Sequence, residues 1–264
     1  MSYYPPDTKL PPLGALCLDY TDDIHRPPGD VIMSESYHFP VIQQQISGAT
    51  LWKVVDPNEF DEEYFQSYVA ACKTLQDKGC IGIITSCGFL AQIQTRLASQ
   101  VDIPIATSSL LQVPSVLTIL SPKKKIGVIT FDPITLCETH FRGVGITEEM
   151  CKRLVITGCK PGGALHRIIT DGDSYVAEEL EQELVDLAVE LVESNSDIGA
   201  FVLECTQMPP YARAIQAATG KPVYDGVTMV DWFYSGLQCR TVPPDGNREA
   251  GFRKRLRSEK EKKI

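Results

Sequence analysis

One unit occurs twice in this chain, and it constrains the fold more than any single motif. In the first copy, the apolar run of Ile81–Leu90 (IGIITSCGFL) carries Cys87 at its polar end, and Leu90, Ile93 and Leu97 follow at helical spacing. In the second, Ala200–Leu203 runs into Glu204-Cys205-Thr206. A Met208-Pro209-Pro210 break fit to open a helix comes next, then Ala212, Ala214 and Ile215. Pro104 stands 17 residues after Cys87 and Pro222 stands 17 residues after Cys205, each at the head of a further short apolar stretch. Strand, cysteine, helix, proline and strand, in the same order twice, predict a duplicated architecture.

The rest of the chain fits that frame. Strands are predicted at Leu13–Leu18, Thr50–Val55, Ile103–Ala106, Lys125–Thr130, Arg153–Ile156 and Pro222–Tyr224. Helices are predicted at Phe60–Leu75, Leu110–Leu120, Ile134–Arg142, Tyr175–Ser194 and Val227–Leu237. His25–Phe39 reads as a functional loop and Gly158–Asp173 as a mobile one. Strands alternating with helices imply an α/β fold. The expectation is two pseudo-symmetric lobes, each a parallel sheet flanked by helices, with the active site in the cleft between them. The divisions expected are an extended leader at 1–12, an N-terminal lobe at 13–108 joined by the closing helix 227–238, a C-terminal lobe at 109–226, and a basic disordered tail at 241–264.

Composition narrows the function classes. The 264 residues carry a net charge of −9, which disfavours nucleic-acid binding by the fold itself. From Arg248 onward eight Lys or Arg face three Glu, so the RKRLR tail is a separate, basic feature, read either as a localisation or polyanion patch or as a solvated end. No run of 18 apolar residues and no secretory leader is visible, so a cytoplasmic protein without membrane contact is expected. Nine cysteines without CxxC, and four scattered histidines, suggest reduced thiols and no metal or other cofactor.

Cys87 and Cys205 are the candidate catalytic residues. Each is predicted at the carboxyl end of a strand and before a helix N-terminus, where a thiol pKa falls. Across a cleft, one thiolate could remove a proton from a carbon acid while the other thiol returns one. The backbones of Gly88, Phe89 and Thr206 and the hydroxyls of Thr85, Ser86, Ser108, Ser109 and Thr206 are candidates to cradle a substrate carboxylate or enolate. Gly88 removes a side chain beside Cys87. The other seven cysteines are read as small buried hydrophobes. No G-x-G-x-x-G, P-loop or G-x-S-x-G element is present.

With SCGFL, LECTQMP, TSSLLQVP and GVIT in this order, the chain resembles the aspartate/glutamate racemase superfamily from about Leu13 to Leu237. The resemblance implies a cofactor-independent racemase or epimerase that inverts a carbon next to a carboxylate, as a homodimer acting on a small carboxylate substrate. It adds Thr130, Gln207 and Asp19 to the expected substrate contacts. Gln207 stands where glutamate racemases carry His and aspartate racemases Glu, and Gly88-Phe89 stands where Asn-Thr is usual. Phe89 therefore suggests a larger or less polar substrate. A maleate-type cis–trans isomerase using covalent cysteine addition, and a non-catalytic ligand-binding relative, are the alternatives.

Overall fold

The computed structural model describes residues 9–240. The first eight residues of the predicted leader and the predicted tail at 241–264 lie outside the described residues. Leu10–Gln238 form one compact unit, while the second unit, Met1–Lys9 with Cys239–Ile264, falls almost wholly outside the described part.

The compact unit holds two parallel sheets flanked by helices. The N-terminal sheet contains β1 (Leu13–Cys17), β2 (Val41–Gln45) and β3 (Ile83–Thr85), in the order β2-β1-β3. The C-terminal sheet contains β4 (Lys125–Thr130), β5 (Leu154–Gly158), β6 (Ile198–Leu203) and β7 (Val223–Tyr224), in the order β5-β4-β6-β7. β1, β4 and β6 are near-continuous apolar runs because helices cover both their faces.

The duplication predicted from the cysteine spacing holds at the level of single hydrogen bonds. Ile83 N–H donates to Pro104 O at 3.0 Å, and Phe201 N–H donates to Pro222 O at 2.9 Å, each donor lying four residues before its cysteine. Gly14 pairs with Ile83 just as Gly127 pairs with Phe201. At both glycines a helix side chain has taken the place of a Cβ. Such an atom would sit 2.8 Å from Leu75 Cδ1 at Gly14 and 2.7 Å from Leu191 Cδ2 at Gly127. Those leucines belong to the helices Glu62–Asp77 and Ala177–Ser194, which pack on equivalent faces of the two sheets.

Several predicted elements are corrected. Thr50–Val55 is not a strand: Leu51–Val54 is a helical turn that buries Leu51 and Val54 and exposes Trp52 and Lys53. The second strand is Val41–Gln45, a half-exposed edge rich in glutamine. Ile103–Ala106 contributes only one bridge, Ile83 to Ile105, where the other sheet has the two-residue β7. The predicted loop at Gly158–Asp173 contains a helix, Ala164–Asp171, that buries Leu165 and Ile168. The predicted helix Ile134–Arg142 is confined to Glu138–Gly143. No helix among the described residues is long and apolar enough to cross a membrane.

Candidate active site

The carboxyl ends of β3 and β6 deliver Cys87 and Cys205 to the same small cavity. Both units turn immediately after the cysteine. Cys87 caps a 3-10 segment, Gly88–Ile93, and Cys205 leads through a turn into another, Pro209–Tyr211. The turns aim matching donors: the N–H of Phe89 reaches the Cys87 sulfur and the N–H of Gln207 reaches the Cys205 sulfur. Bonds across the cleft fix the two halves together. Thr206 Oγ1 donates to Ser86 O at 2.7 Å, and Ser109 Oγ donates to Leu203 O at 2.7 Å.

The cavity is tight, with about 370 Å³ of empty space including its mouth. Of the predicted contacts, Ser86, Cys87, Gly88, Phe89, Cys205, Thr206 and Gln207 line it. The structure does not bring the others there. Thr85 Oγ1 is spent on Thr107 O at 2.6 Å, Ser108 caps the turn at Leu110, and Ser109 is tied to Leu203. Thr130 supports the carboxylate of Glu204, at 2.7 Å. Asp19 is exposed and accepts from Gly48 N–H at 2.7 Å, outside the cavity. Hydroxyls at strand ends were natural candidates, but buried hydroxyls find backbone partners first.

Eight lining residues were missed in the sequence: the apolar Ile24, Leu51, Val55 and Ile169, and four polar or aromatic groups. The latter are Arg26 and Tyr20 from the turns after β1, Phe131 after β4, and Glu204 after β6. Arg26 is held by Asp30 at 2.9 Å, across the Pro-Pro-Gly turn, and donates to Thr21 O at 3.3 Å in the turn that follows β1. The early loop carried a functional signal in its length, but nothing local marked Arg26 within it. Glu204 was visible beside Cys205, yet a carboxylate at a strand end gives no sign that it faces a cavity.

The electrostatics reverse one expectation. Both cysteines keep part of their surface open to the cavity and are otherwise packed against the core. Burial pushes the Cys87 thiol well above its ordinary value and Cys205 up to about 12, and Glu204 adds to both. The Phe89 and Gln207 N–H groups and Arg26 pull the other way and are outweighed. The resting cysteines are therefore thiols, because two short turns cannot offset desolvation. Burial also raises Glu204 to about 7, against the Thr130 hydroxyl and the Phe131 N–H. Its Oε1 and the Oε1 of Gln207 are buried without hydrogen-bond partners among the described residues. In the described part, no group of three or more His, Cys, Asp or Glu side chains is arranged to hold a metal ion.

Comparison with known proteins separates fold from chemistry. No protein-family model matches the chain. Dimethylsulfoniopropionate lyase 7 of Emiliania huxleyi is 30% identical over 238 residues, covering 87% of this chain and 68% of its own length. The chain belongs to the dimethylsulfoniopropionate lyase family. The lyase of Durusdinium sp. clade D is 28% identical over 237 residues, covering 88% of this chain and 77% of that protein. Another, dimethylsulfoniopropionate lyase 3 of Emiliania huxleyi, is 30% identical, and there the chain spans only 62% of the relative's length.

Among solved structures, an unliganded arylmalonate decarboxylase superposes with a TM-score of 0.52 at 16% identity, covering 90% of this chain and 98% of its own. An aspartate racemase homologue from Pyrococcus horikoshii superposes with a TM-score of 0.55 at 15% identity, covering 86% and 99%. The fold is that of the aspartate/glutamate racemase superfamily, as the sequence motifs implied. The activity expected from that resemblance is overturned. The nearer sequences are lyases, so the racemase or epimerase reading, and with it the isomerase class, is withdrawn. Two cysteines in this fold do not by themselves mark inversion.

Proposed function

We propose that this chain is a lyase that splits dimethylsulfoniopropionate, or a close 3-sulfoniopropionate, into a sulfide and an acrylate. The observation that carries this reading is the lining of the one cavity shared by both cysteines. Arg26 offers a cation to a carboxylate. The unpartnered oxygens of Glu204 and Gln207, with the rings of Tyr20, Phe89 and Phe131, suit a positively charged sulfonium that brings no hydrogen-bond donor. A small zwitterion matches both.

The proposed reaction begins with the same step as the carbon-acid chemistry expected of the cysteines. A thiolate at one of Cys87 and Cys205 removes a proton from the carbon next to the carboxylate, while the thiol of the other and Arg26 donate hydrogen bonds to the carboxylate oxygens where charge develops. That electron pair then forms the carbon–carbon double bond as the carbon–sulfur bond breaks and a neutral sulfide departs. A racemase returns a proton at this point; a β-sulfonium leaves instead. The bound sulfonium also offsets the burial that holds the thiols protonated, since a nearby cation lowers a thiol pKa.

The reading is tested by incubating purified protein with dimethylsulfoniopropionate and, in parallel, with its uncharged analogue 3-(methylthio)propionate. Acrylate from the first and none from the second is expected, because a thiolate is a far poorer leaving group than a neutral sulfide. No acrylate from the sulfonium substrate would remove the proposal. With nine cysteines and no disulfide among the described residues, the proposed setting is a reducing compartment such as the cytoplasm.

A further inference from the structure

Glu204 is a buried carboxylate with one oxygen held and one oxygen bare. Oε2 accepts from the Thr130 hydroxyl at 2.7 Å, while Oε1 has no partner. A buried acceptor left unpaired is costly, so its retention calls for a use. Space has been cleared for it from the opposite lobe: a Cβ at Gly88 would run into Glu204 Oε1 and into its carbonyl oxygen. The bare oxygen thus lies against the residue after Cys87 and belongs to the residue before Cys205. The carboxylate raises both thiols. Around it the titratable and charged groups are Cys87 after β3, Cys205 beside it, Cys159 after β5, Tyr20, and the Arg26–Asp30 pair from the early loop.

We propose that Glu204 is the acid–base partner of the two thiols, accepting on Oε1 the proton that a cysteine gives up when it becomes the base. In this step the S–H bond breaks and an O–H bond forms on the carboxylate. The thiolate then regains a proton from the substrate carbon, and Glu204 releases its own to solvent after the products leave. The charge balance favours this order. Departure of a neutral sulfide removes a positive charge from the cavity, and a protonated Glu204 removes the matching negative one. The inference rests on the lyase reading for its substrate, but not for its second readout.

The test uses the full chain and two probes, dimethylsulfoniopropionate and iodoacetamide. Glu204→Gln should lower kcat about 100-fold, change KM much less, and abolish the limb of the kcat profile that rises with pH through about 7. Thr130→Val keeps the carboxylate but removes a donor that favours its ionised form, so that limb should move to higher pH. It serves as the second variant should Glu204→Gln fold poorly. Independently, iodoacetamide should alkylate Cys87 and Cys205 several-fold faster at pH 8 in Glu204→Gln, because the charge that raises both thiols is gone. A kcat within threefold of wild type with the pH limb retained, an unmoved limb in Thr130→Val, or unchanged alkylation would each overturn the proposal. Faster alkylation in a protein that yields no acrylate would retain the Glu204–thiol coupling and discard the lyase reading.

Discussion

The Cys87 and Cys205 units are the same device built twice, and the site depends on where they differ. Both are strand, cysteine and tight turn, and both aim an N–H from two residues ahead at the sulfur. The residues flanking the cysteines are not the same. The second copy has Glu204 before its cysteine and Thr206 after it; the first has Ser86 before and Gly88 after. Each difference is answered across the cleft, with Glu204 filling the space that Gly88 vacates and Thr206 bonding to the carbonyl of Ser86. Duplication supplies two similar thiols; divergence supplies one carboxylate and the room to hold it.

The largest expected effect tests whether both copies are needed. Cys87→Ser and Cys205→Ser should each lower acrylate formation by about 10³-fold, with little change in thermal stability. If one of them keeps near-normal turnover, the chemistry belongs to a single unit and the comparison breaks. The next effect concerns Glu204 in the folded state. Its carboxyl is raised from 4.5 to about 7, so the stability gained from its protonation is present below about pH 4.5 and lost as pH rises through about 7. Wild type should lose about 3 kcal/mol relative to Glu204→Gln across that range, read from urea unfolding at pH 5 and pH 8. A pH-independent difference would mean that the carboxyl titrates normally.

Gly88→Ala closes the space, and about 2 kcal/mol of destabilisation is expected from the overlap with Glu204. Arg26→Lys keeps the charge but loses the planar fork, and should raise KM about tenfold with a smaller change in kcat. Smallest is Thr206→Ala, which removes one cross-cleft hydrogen bond at about 1 kcal/mol in urea unfolding. Equal costs at Gly88 and Thr206 would contradict the unequal roles assigned to the two positions after the cysteines.

The duplication was legible because it is written in apolar runs and in the 17-residue interval from each cysteine to its proline, features that parallel strands require. Elements that break those patterns were not. Val41–Gln45 is an edge strand whose glutamines face outward, and Thr50–Val55 looks like a strand by its β-branched content but coils to bury Leu51 and Val54. The glycines at 162 and 163 hid the helix that begins at Ala164. At the site, the cysteines and their neighbours were found from the sequence. Arg26 and Glu204 were not, because one is placed by a salt bridge within a loop and the other by a gap in the opposite lobe. The direction of the thiol shifts was misjudged because sequence shows a turn after each cysteine but not the depth at which the sulfur lies. The expected racemase and the proposed lyase share a first step, proton removal next to a carboxylate, and part only over a β-substituent that the substrate brings, which the chain does not encode.

The most direct test is a proton NMR time course of the purified, reduced protein with dimethylsulfoniopropionate in D2O. The sulfonium methyl signal should fall as vinyl signals of acrylate and the methyl signal of dimethyl sulfide rise in equal amount, and Cys87→Ser and Cys205→Ser should each abolish all three changes. Deuterium entering the carbon next to the carboxylate while the carbon–sulfur bond stays intact, or no change at all, would contradict it.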